Sequence, residues 1–151
     1  MSVQARLDEL GITLPAVPAA AGSYVPFVRT GDLVFTAGQL PFVDGALPAT
    51  GKVGAEVSPE DARTYAQLCA LNLLAVIDAA VGVDQVVRVV KVVGFVASAD
   101  GFTGAPGVVN GASDFLVEVF GDAGRHARSA VGVAELPLGS PVEIEAVVQV
   151  R

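Results

Sequence analysis

The most constraining feature of this sequence is a valine-dominated run at residues 86–96, in which Arg88 and Lys91 are the only charged side chains. β-Branched residues favour strands, and a run that is apolar at nearly every position is typical of a strand buried on both faces of a sheet. The run therefore predicts a long central strand. A sheet built around it needs cover on both sides, which limits the architectures open to the chain.

The segments around this strand predict an α+β domain. Apolar residues recur at spacings of three and four in two stretches, which predicts amphipathic helices ending at Gly82 and Gly121. Ser58, followed by proline, is a typical N-cap for the first helix. The second helix is predicted over 109–120. Asn110 lies near its start, where asparagine is usually a cap. The order ββαβαββ predicts one mixed sheet of five or six strands with two main helices on one face. Besides the central run, the predicted strands are 24–29, 33–37, 127–134 and 142–150.

The chain is 151 residues long, which suits a single domain over 1–151. Hydrophobic residues make up 52% of the chain and charged residues 17%, so it is more apolar than a lone soluble domain of this size usually is. Because both main helices lie on one face of the predicted sheet, the second face is left without cover. A second copy of the chain is the simplest cover.

The sequence favours a soluble, cytoplasmic protein. No charge-free apolar run approaches the roughly 20 residues needed to span a bilayer. Arg6, Asp8 and Glu9 interrupt the amino terminus, which lacks the apolar core of a signal peptide. A single cysteine, Cys69, excludes internal disulfides, in agreement with a reducing compartment. The net charge of −7 argues against binding to a phosphate backbone, so we expect neither a membrane nor a nucleic acid as partner.

The sequence lacks the motifs of common catalytic and cofactor sites. No glycine run ends in Lys-Ser or Lys-Thr as in a P-loop, and no Gly-x-Gly-x-x-Gly follows a predicted strand. His126 is the only histidine and no serine lies in a Gly-x-Ser-x-Gly turn, which argues against a Ser-His-acid triad. One histidine and one cysteine cannot supply the three or four ligands of a zinc site. The sequence therefore predicts no metal site.

Polar residues on the last two strands are the remaining candidates for chemistry. Strand alternation places Arg128, Ala130 and Gly132 on one face, with His126 beside them if the strand begins early enough. If the last two strands are neighbours, the Arg128 guanidinium and the Glu143 carboxylate converge. The guanidinium then suits a substrate carboxylate, and Glu143 can hold or activate a water. The alternative is an ordinary cross-strand ion pair worth roughly 0.2–1 kcal/mol, and the residues alone leave both interpretations open.

Five segments of the chain resemble the RidA (YjgF) family in their order and spacing. They are Gly22-Ser23-Tyr24-Val25, Thr36-Ala37-Gly38-Gln39-Leu40-Pro41, Val109-Asn110, Ala127-Arg128-Ser129-Ala130-Val131, and Leu136-Pro137 followed by Val142-Glu143-Ile144-Glu145-Ala146. The chain is most similar to a RidA-like subgroup with an amino-terminal extension, here 1–21, ahead of the core at 22–150. The lead-in Gly124-Arg125-His126-Ala127-Arg128 also resembles that subgroup. The resemblance implies a chorismate-mutase-like fold with a mixed six-stranded sheet, assembled as a barrel-like homotrimer.

The resemblance also implies an activity and a site. Members of the best-studied branch hydrolyse enamine and imine intermediates to 2-keto acids and ammonia in clefts between subunits, with neither a metal nor an organic cofactor. Carried over by position, Arg128 would bind the substrate carboxylate and Glu143 would orient or activate the attacking water. The remaining substrate-binding positions would be Tyr24, Gly38, Asn110, His126 and Ala130.

The sequence also departs from the deaminase branch, which usually has serine at the position of Ala37 and cysteine at that of Ala130. Two polar groups of the cleft are therefore missing. The first hypothesis is an imine or enamine deaminase-like hydrolase, and the second is a trimeric protein that binds a small carboxylate through Arg128 without turnover. Ribonuclease and translation-inhibitor activities, described for related proteins, fit the acidic chain poorly. Glu143 separates the first two hypotheses, because only hydrolysis has a use for it.

Overall fold

The computed structural model describes residues 1–20 and 22–151; the predicted end of the amino-terminal extension, residue 21, lies outside the described residues. Within that part of the chain, three α-helices and five strands alternate as α1, β1, β2, α2, β3, α3, β4 and β5. This order confirms the predicted α+β class. The bounds are α1 Val3–Glu9, β1 Phe27–Thr30, β2 Leu33–Thr36, α2 Pro59–Val81, β3 Val86–Ala97, α3 Ala105–Phe120, β4 Ala127–Val133 and β5 Val142–Val150.

The five strands form one mixed sheet in the order β1-β2-β5-β3-β4. β3 pairs in parallel with β4, whereas its pairing with β5 is antiparallel, as are the β2–β5 and β1–β2 pairs. The sheet has one strand fewer than the six of the family resemblance. In the described structure the segment between β2 and α2, rich in glycine and proline, makes isolated bridges such as Gln39 with Ile144 and no further strand.

The sheet has one face covered by helices and one open face. Along β3, Val92 and Val96 are buried beneath the helices, whereas Lys91, Val93 and Phe95 on the open face are only partly buried. The prediction that β3 is buried on both faces is therefore wrong for the single chain, because α2 and α3 both pack on the same side. Exposed apolar side chains remain on the open face, namely Val28, Phe35 and Val131.

Helix α2 begins and ends as the sequence predicts. The Ser58 hydroxyl accepts a hydrogen bond from the Asp61 amide, and Gly82, at φ 87°, follows the last turn. By length and hydropathy alone this helix could cross a membrane, but half of its most apolar window is buried inside the fold. Its buried residues pack among α3 and β5, as those of a core helix do.

Helix α3 begins earlier than predicted and lies very close to its neighbours. It starts at Ala105, so Asn110 lies in the helix interior rather than at a cap, because Pro106 can occupy the first turn. A Cβ atom at Gly94 of β3 would overlap the Val109 side chain, and one at Gly111 would overlap the Arg63 carbonyl of α2. These glycines let α3 pack tightly, and α3 carries part of the candidate site.

A candidate active site divided between two faces of the sheet

Arg128 forms the centre of a polar group on the helix-covered side of the sheet. It pairs with Val92 of β3, which places its side chain toward α3. Its Nη1 donates to Asn110 Oδ1 at 2.7 Å and to Ser113 Oγ at 3.2 Å, and its Nη2 donates to the Pro106 carbonyl at 3.3 Å. Asn110 and Ser113 lie one helical turn apart, so both reach the same guanidinium.

His126 joins this group through Ser113. Its Nε2 lies 2.9 Å from Ser113 Oγ, and its Nδ1 lies 2.6 Å from the Gly124 carbonyl oxygen. Burial lowers the pKa of His126 and the positive charge of Arg128 lowers it further, while the bond to Gly124 acts in the opposite direction. The imidazole is therefore neutral at pH 7. We call Arg128, Asn110, Ser113 and His126 the Arg128 cluster.

Glu143 lies in a separate cavity on the open side of the sheet. It pairs with Phe95 of β3, and alternation along β5 turns Val142 and Ile144 into the core instead. The cavity has a volume of about 310 Å³. We call it the Glu143 pocket; its lining comprises Pro18, Ala19, Ala20, Tyr24, Pro26, Gly38, Gln39, Leu40, Phe42, Pro137, Leu138 and Glu143.

Gly38 provides the space that the Glu143 carboxylate occupies. A Cβ atom at this position would lie 2.6 Å from Glu143 Oε1, closer than side chains approach one another. The neighbouring Gln39 holds this segment in place, since its amide and carbonyl bond to the Ile144 carbonyl and amide at 2.8 and 3.0 Å. The backbone at Gly38 therefore passes directly beside the carboxylate.

The chemistry of Glu143 is altered by its surroundings. Partial burial raises the pKa of this carboxyl, and the charge of Glu145, two residues along the same face of β5, raises it further. A carboxylate with a raised pKa holds a proton more strongly, which suits a general base that works near neutral pH. The pocket therefore combines a carboxyl of raised pKa with mostly apolar walls.

The structure brings the predicted site residues together in two sets. Tyr24, Gly38 and Glu143 share the Glu143 pocket, whereas Arg128, Asn110 and His126 share the Arg128 cluster, with Ala130 farther along the same face of β4. The last two strands are not neighbours, so the condition on which the convergence of Arg128 and Glu143 depended is not met: β3 lies between β4 and β5.

Arg128 and Glu143 consequently do not converge within one chain. Their partners on β3, Val92 and Phe95, are three residues apart and face opposite sides of the sheet. Within one chain, Arg128 and Glu143 therefore neither share one face of the sheet nor form the alternative cross-strand ion pair.

Sequence reasoning missed Ser113 and Leu138. Ser113 could have been found from its spacing of three residues from Asn110 on a predicted helix. Leu138 adopts the left-handed conformation, at φ 59°, and is 68% exposed at the Glu143 pocket, which is an unusual arrangement for a large apolar residue. No sequence pattern predicts that geometry. The arm residues Pro18 and Ala19 also line the pocket, since the extension folds back over it.

Comparison with known proteins agrees with this architecture. A family model described as "YjgF/chorismate mutase-like, putative endoribonuclease" matches residues 4–147. Protein TCP17 of Trypanosoma cruzi is 45% identical over 151 residues, covering 99% of this chain and 94% of that protein. The 2-iminobutanoate/2-iminopropanoate deaminase of Escherichia coli (strain K12) is 36% identical over 131 residues, covering 86% and 89%.

Among solved structures, protein Atu1372 from Agrobacterium tumefaciens, of unknown function, superposes with a TM-score of 0.90. It is 46% identical, and the match covers 99% of this chain and 92% of that one. Fold and matches together define the YjgF/chorismate-mutase-like class. Within that class, the chain belongs to the RidA (YjgF) family.

Proposed function

We propose that this protein hydrolyses small imines or enamines bearing a carboxylate, giving a 2-keto acid and ammonia, at a site shared by two subunits of a homotrimer. The observation that carries the proposal is the division of the site. The Arg128 cluster and the Glu143 pocket lie on opposite faces of one sheet, so one small substrate cannot contact both within a chain. A neighbouring subunit can bring its own Glu143 pocket to the Arg128 cluster of the first.

Surface features of the single chain support such an assembly. The open face of the sheet carries exposed Val28, Phe35 and Val131, and β4 is an edge strand with one side free of pairing within the described chain. Three copies in a closed ring would cover the apolar face and form three equivalent interfaces. Each interface would then join one Arg128 cluster to one Glu143 pocket.

The two halves supply what imine hydrolysis needs. A protonated imine carbon is already electrophilic, so positioning and proton transfer are the main tasks. Arg128 would hold the substrate carboxylate, while Glu143 of the next subunit takes a proton from water as the water oxygen bonds to the imine carbon. Glu143 returns that proton to nitrogen and, as the C–N bond breaks, takes the proton of the hydroxyl group, so that the C=O of the 2-keto acid forms, ammonia leaves and the second proton passes to solvent. One imine and one water are consumed, and the balance needs no further reactant.

The relatives support this reaction class. A protein matched over 86% of this chain is named 2-iminobutanoate/2-iminopropanoate deaminase. The family description also mentions endoribonuclease, but the net charge of −7 does not favour binding of a polyanion. We also propose that the protein is cytoplasmic and that its partner is a small carboxylate, with neither a membrane nor a nucleic acid as partner.

A second candidate function is carboxylate binding without turnover. It is favoured by the Arg128 cluster, which forms its hydrogen bonds without any contribution from Glu143. Ala37 and Ala130 also favour binding without turnover, because the deaminase branch usually has polar side chains at these positions. Only a hydrolase would release the 2-keto acid faster than the free imine hydrolyses in water, whereas a binding protein would not.

A coupled assay separates these functions. Threonine dehydratase generates 2-iminobutanoate in situ, and release of 2-oxobutanoate is followed with and without the protein. Acceleration that depends on both Arg128 and Glu143 supports the hydrolase. Binding of 2-oxobutanoate without acceleration supports the binding protein, and equal activity of Arg128→Ala and wild type would reject the proposed site.

Subunit mixing tests whether the site is shared. Arg128→Ala and Glu143→Gln subunits, each inactive alone, are unfolded together and refolded as mixed trimers. Random mixing leaves about a quarter of the interfaces with both wild-type residues, so roughly a quarter of wild-type activity should return. The matched control is refolded Arg128→Ala/Glu143→Gln double mutant, in which no interface is intact. No recovery in the mixture, with trimers formed, would show that the site is not divided between subunits.

A further inference from the structure

The Arg128 guanidinium is connected by hydrogen bonds to a rigid part of the backbone. The chain of contacts runs from the Gly124 carbonyl through His126 and Ser113 to Arg128 Nη1. Gly124 is fixed against α3, since a Cβ atom there would overlap the Leu116 carbonyl. The position of the imidazole is therefore set by packed backbone rather than by a mobile loop.

The direction of each hydrogen bond in this chain follows from the chemistry of its ends. A carbonyl oxygen can only accept, so His126 Nδ1 carries the proton and donates to Gly124. In the neutral imidazole, Nε2 is then an acceptor, and the Ser113 hydroxyl donates its proton to it. The lone pairs of Ser113 Oγ are left to accept from Arg128 Nη1. The lowered pKa of His126 supports this neutral form.

The Nε–H of Arg128 is a donor that the hydrogen bonds of the Arg128 cluster leave unused. Of its five N–H groups, both on Nη1 and one on Nη2 are directed at Asn110, Ser113 and the Pro106 carbonyl. Among the described residues, none accepts from Nε. The Nε–H and the Nη2–H beside it are parallel and form one edge of the planar group, on which a carboxylate can accept a side-on, bidentate pair.

We propose that His126 and Ser113 are positioning residues for Arg128, holding Nη1 so that the Nε–Nη2 edge stays open to a carboxylate in a side-on, bidentate pair. The hydrogen-bonded arrangement stands on the geometry alone, whereas the identity of the ligand rests on the proposed function. Neither residue contacts the reacting atoms. Their effect is therefore on substrate binding, more than on the chemical step.

The first test uses the ligand-free protein. His126 is the only histidine, so its imidazole ¹⁵N signals in the NMR spectrum are unambiguous. We expect the Nδ1-protonated tautomer at pH 7, with an ordered Arg128 Nε–H. His126→Leu and Ser113→Ala should make Arg128 Nε–H mobile, whereas His126→Gln, whose amide oxygen can accept from Ser113, should keep it ordered. An Nε2-protonated imidazole, or an Arg128 that stays equally ordered in all variants, would overturn the proposal.

The second test measures binding of 2-oxobutanoate, the expected product, by titration calorimetry. In His126→Leu and Ser113→Ala, Arg128 Nη1 loses an acceptor that is held in place, so the affinity of the protein for 2-oxobutanoate should fall about fivefold to tenfold. The affinity of His126→Gln should stay within about twofold of wild type. In the coupled assay KM should rise by a similar factor while kcat stays nearly constant. Ser129→Ala is the matched control, because it removes a hydroxyl from the opposite face of the same strand, bonded to Lys91.

The outcomes separate this inference from the proposed function. Wild-type protein that binds 2-oxobutanoate but does not accelerate its formation would reject the hydrolase and leave the positioning role supported by the binding data. Unchanged affinity in both His126→Leu and Ser113→Ala, with turnover intact, would reject the positioning role alone. An Nε–H signal of Arg128 that does not shift when 2-oxobutanoate binds would reject the side-on pair.

Discussion

The Arg128 cluster and the Glu143 pocket show two ways in which one chain prepares a site. In the Arg128 cluster, a strand and a helix hold the guanidinium by three hydrogen bonds before any ligand is present. In the Glu143 pocket, loops and the amino-terminal arm surround a carboxylate whose space depends on a missing side chain at Gly38. The Arg128 cluster is thus organised by polar contacts, and the Glu143 pocket by shape and desolvation.

The largest expected effect comes from removing the cation. Arg128→Ala deletes the charge that we propose to hold the substrate carboxylate, and it leaves Asn110 and Ser113 without the donor that they share. We expect kcat/KM in the coupled assay to fall by a factor of about 100 or more, mainly through KM. Arg125→Ala, which removes an exposed guanidinium three residues away, is the control and should retain full activity. A modest loss shared equally by both variants would mean that Arg128 acts only through net charge.

The next effect comes from the other half of the site. Glu143→Gln keeps the size of the side chain but cannot take a proton from water, so kcat should fall by roughly 100-fold with little change in KM. Affinity for 2-oxobutanoate should be unchanged or slightly tighter, since a negative charge is removed. A change confined to KM would contradict the division into a binding half and a chemical half.

A smaller effect is expected from filling the space beside the carboxylate. The added methyl of Gly38→Ala meets the flexible end of Glu143, so the fold should persist while the carboxylate moves. We expect kcat to fall about tenfold, as small misplacements of a catalytic group do. The control is Gly107→Ala, where an added Cβ meets no atom within 4 Å and φ is not positive. Equal kinetics for the two variants would remove the argument that Gly38 shapes the pocket.

The pH dependence of the rate tests the electrostatics of the Glu143 pocket. Because the pKa of Glu143 is raised by partial burial and by Glu145, the carboxylate becomes protonated on lowering the pH before an ordinary glutamate would. We therefore expect kcat, with dehydratase in excess, to fall on the acid side at a pH above the ordinary value near 4.3. Glu145→Gln should shift that limb to lower pH. If the acid side of the profile lies at the same pH in Glu145→Gln as in wild type, a group other than Glu143 sets the fall in kcat.

The smallest expected effect is on stability. A carboxyl whose pKa is raised by folding binds its proton more tightly in the folded state, so its contribution is favourable at low pH and is lost as the pH rises through the folded pKa. Glu143→Gln should therefore raise Tm slightly at pH 7, by about 1–3 °C, and leave it unchanged near pH 3. Differential scanning calorimetry at the two pH values checks this. A lower Tm at pH 7 would show that the carboxylate stabilises the pocket.

The sequence predicted the helices and strands better than it predicted how they meet. Capping at Ser58, the glycine after α2 and the valine-rich strand are local signals, and the structure follows them. The neighbour relation of β4 and β5 is not local, because the strand that separates them comes earlier in the chain. Alternation assigned Arg128 to a face correctly, but no pattern indicated that Glu143 lies on the other face of the sheet.

By itself the sequence determined the α+β class, the family motifs and the residue types of both halves, since these depend on local propensity, periodicity and side-chain chemistry. Only the tertiary structure decided that β3 separates the two halves and that Ser113 and His126 reach Arg128. It also decided that Gly38 makes room for Glu143. Such contacts join residues far apart in the chain, because strand order and close helix packing are set by the burial of the whole core rather than by any short segment.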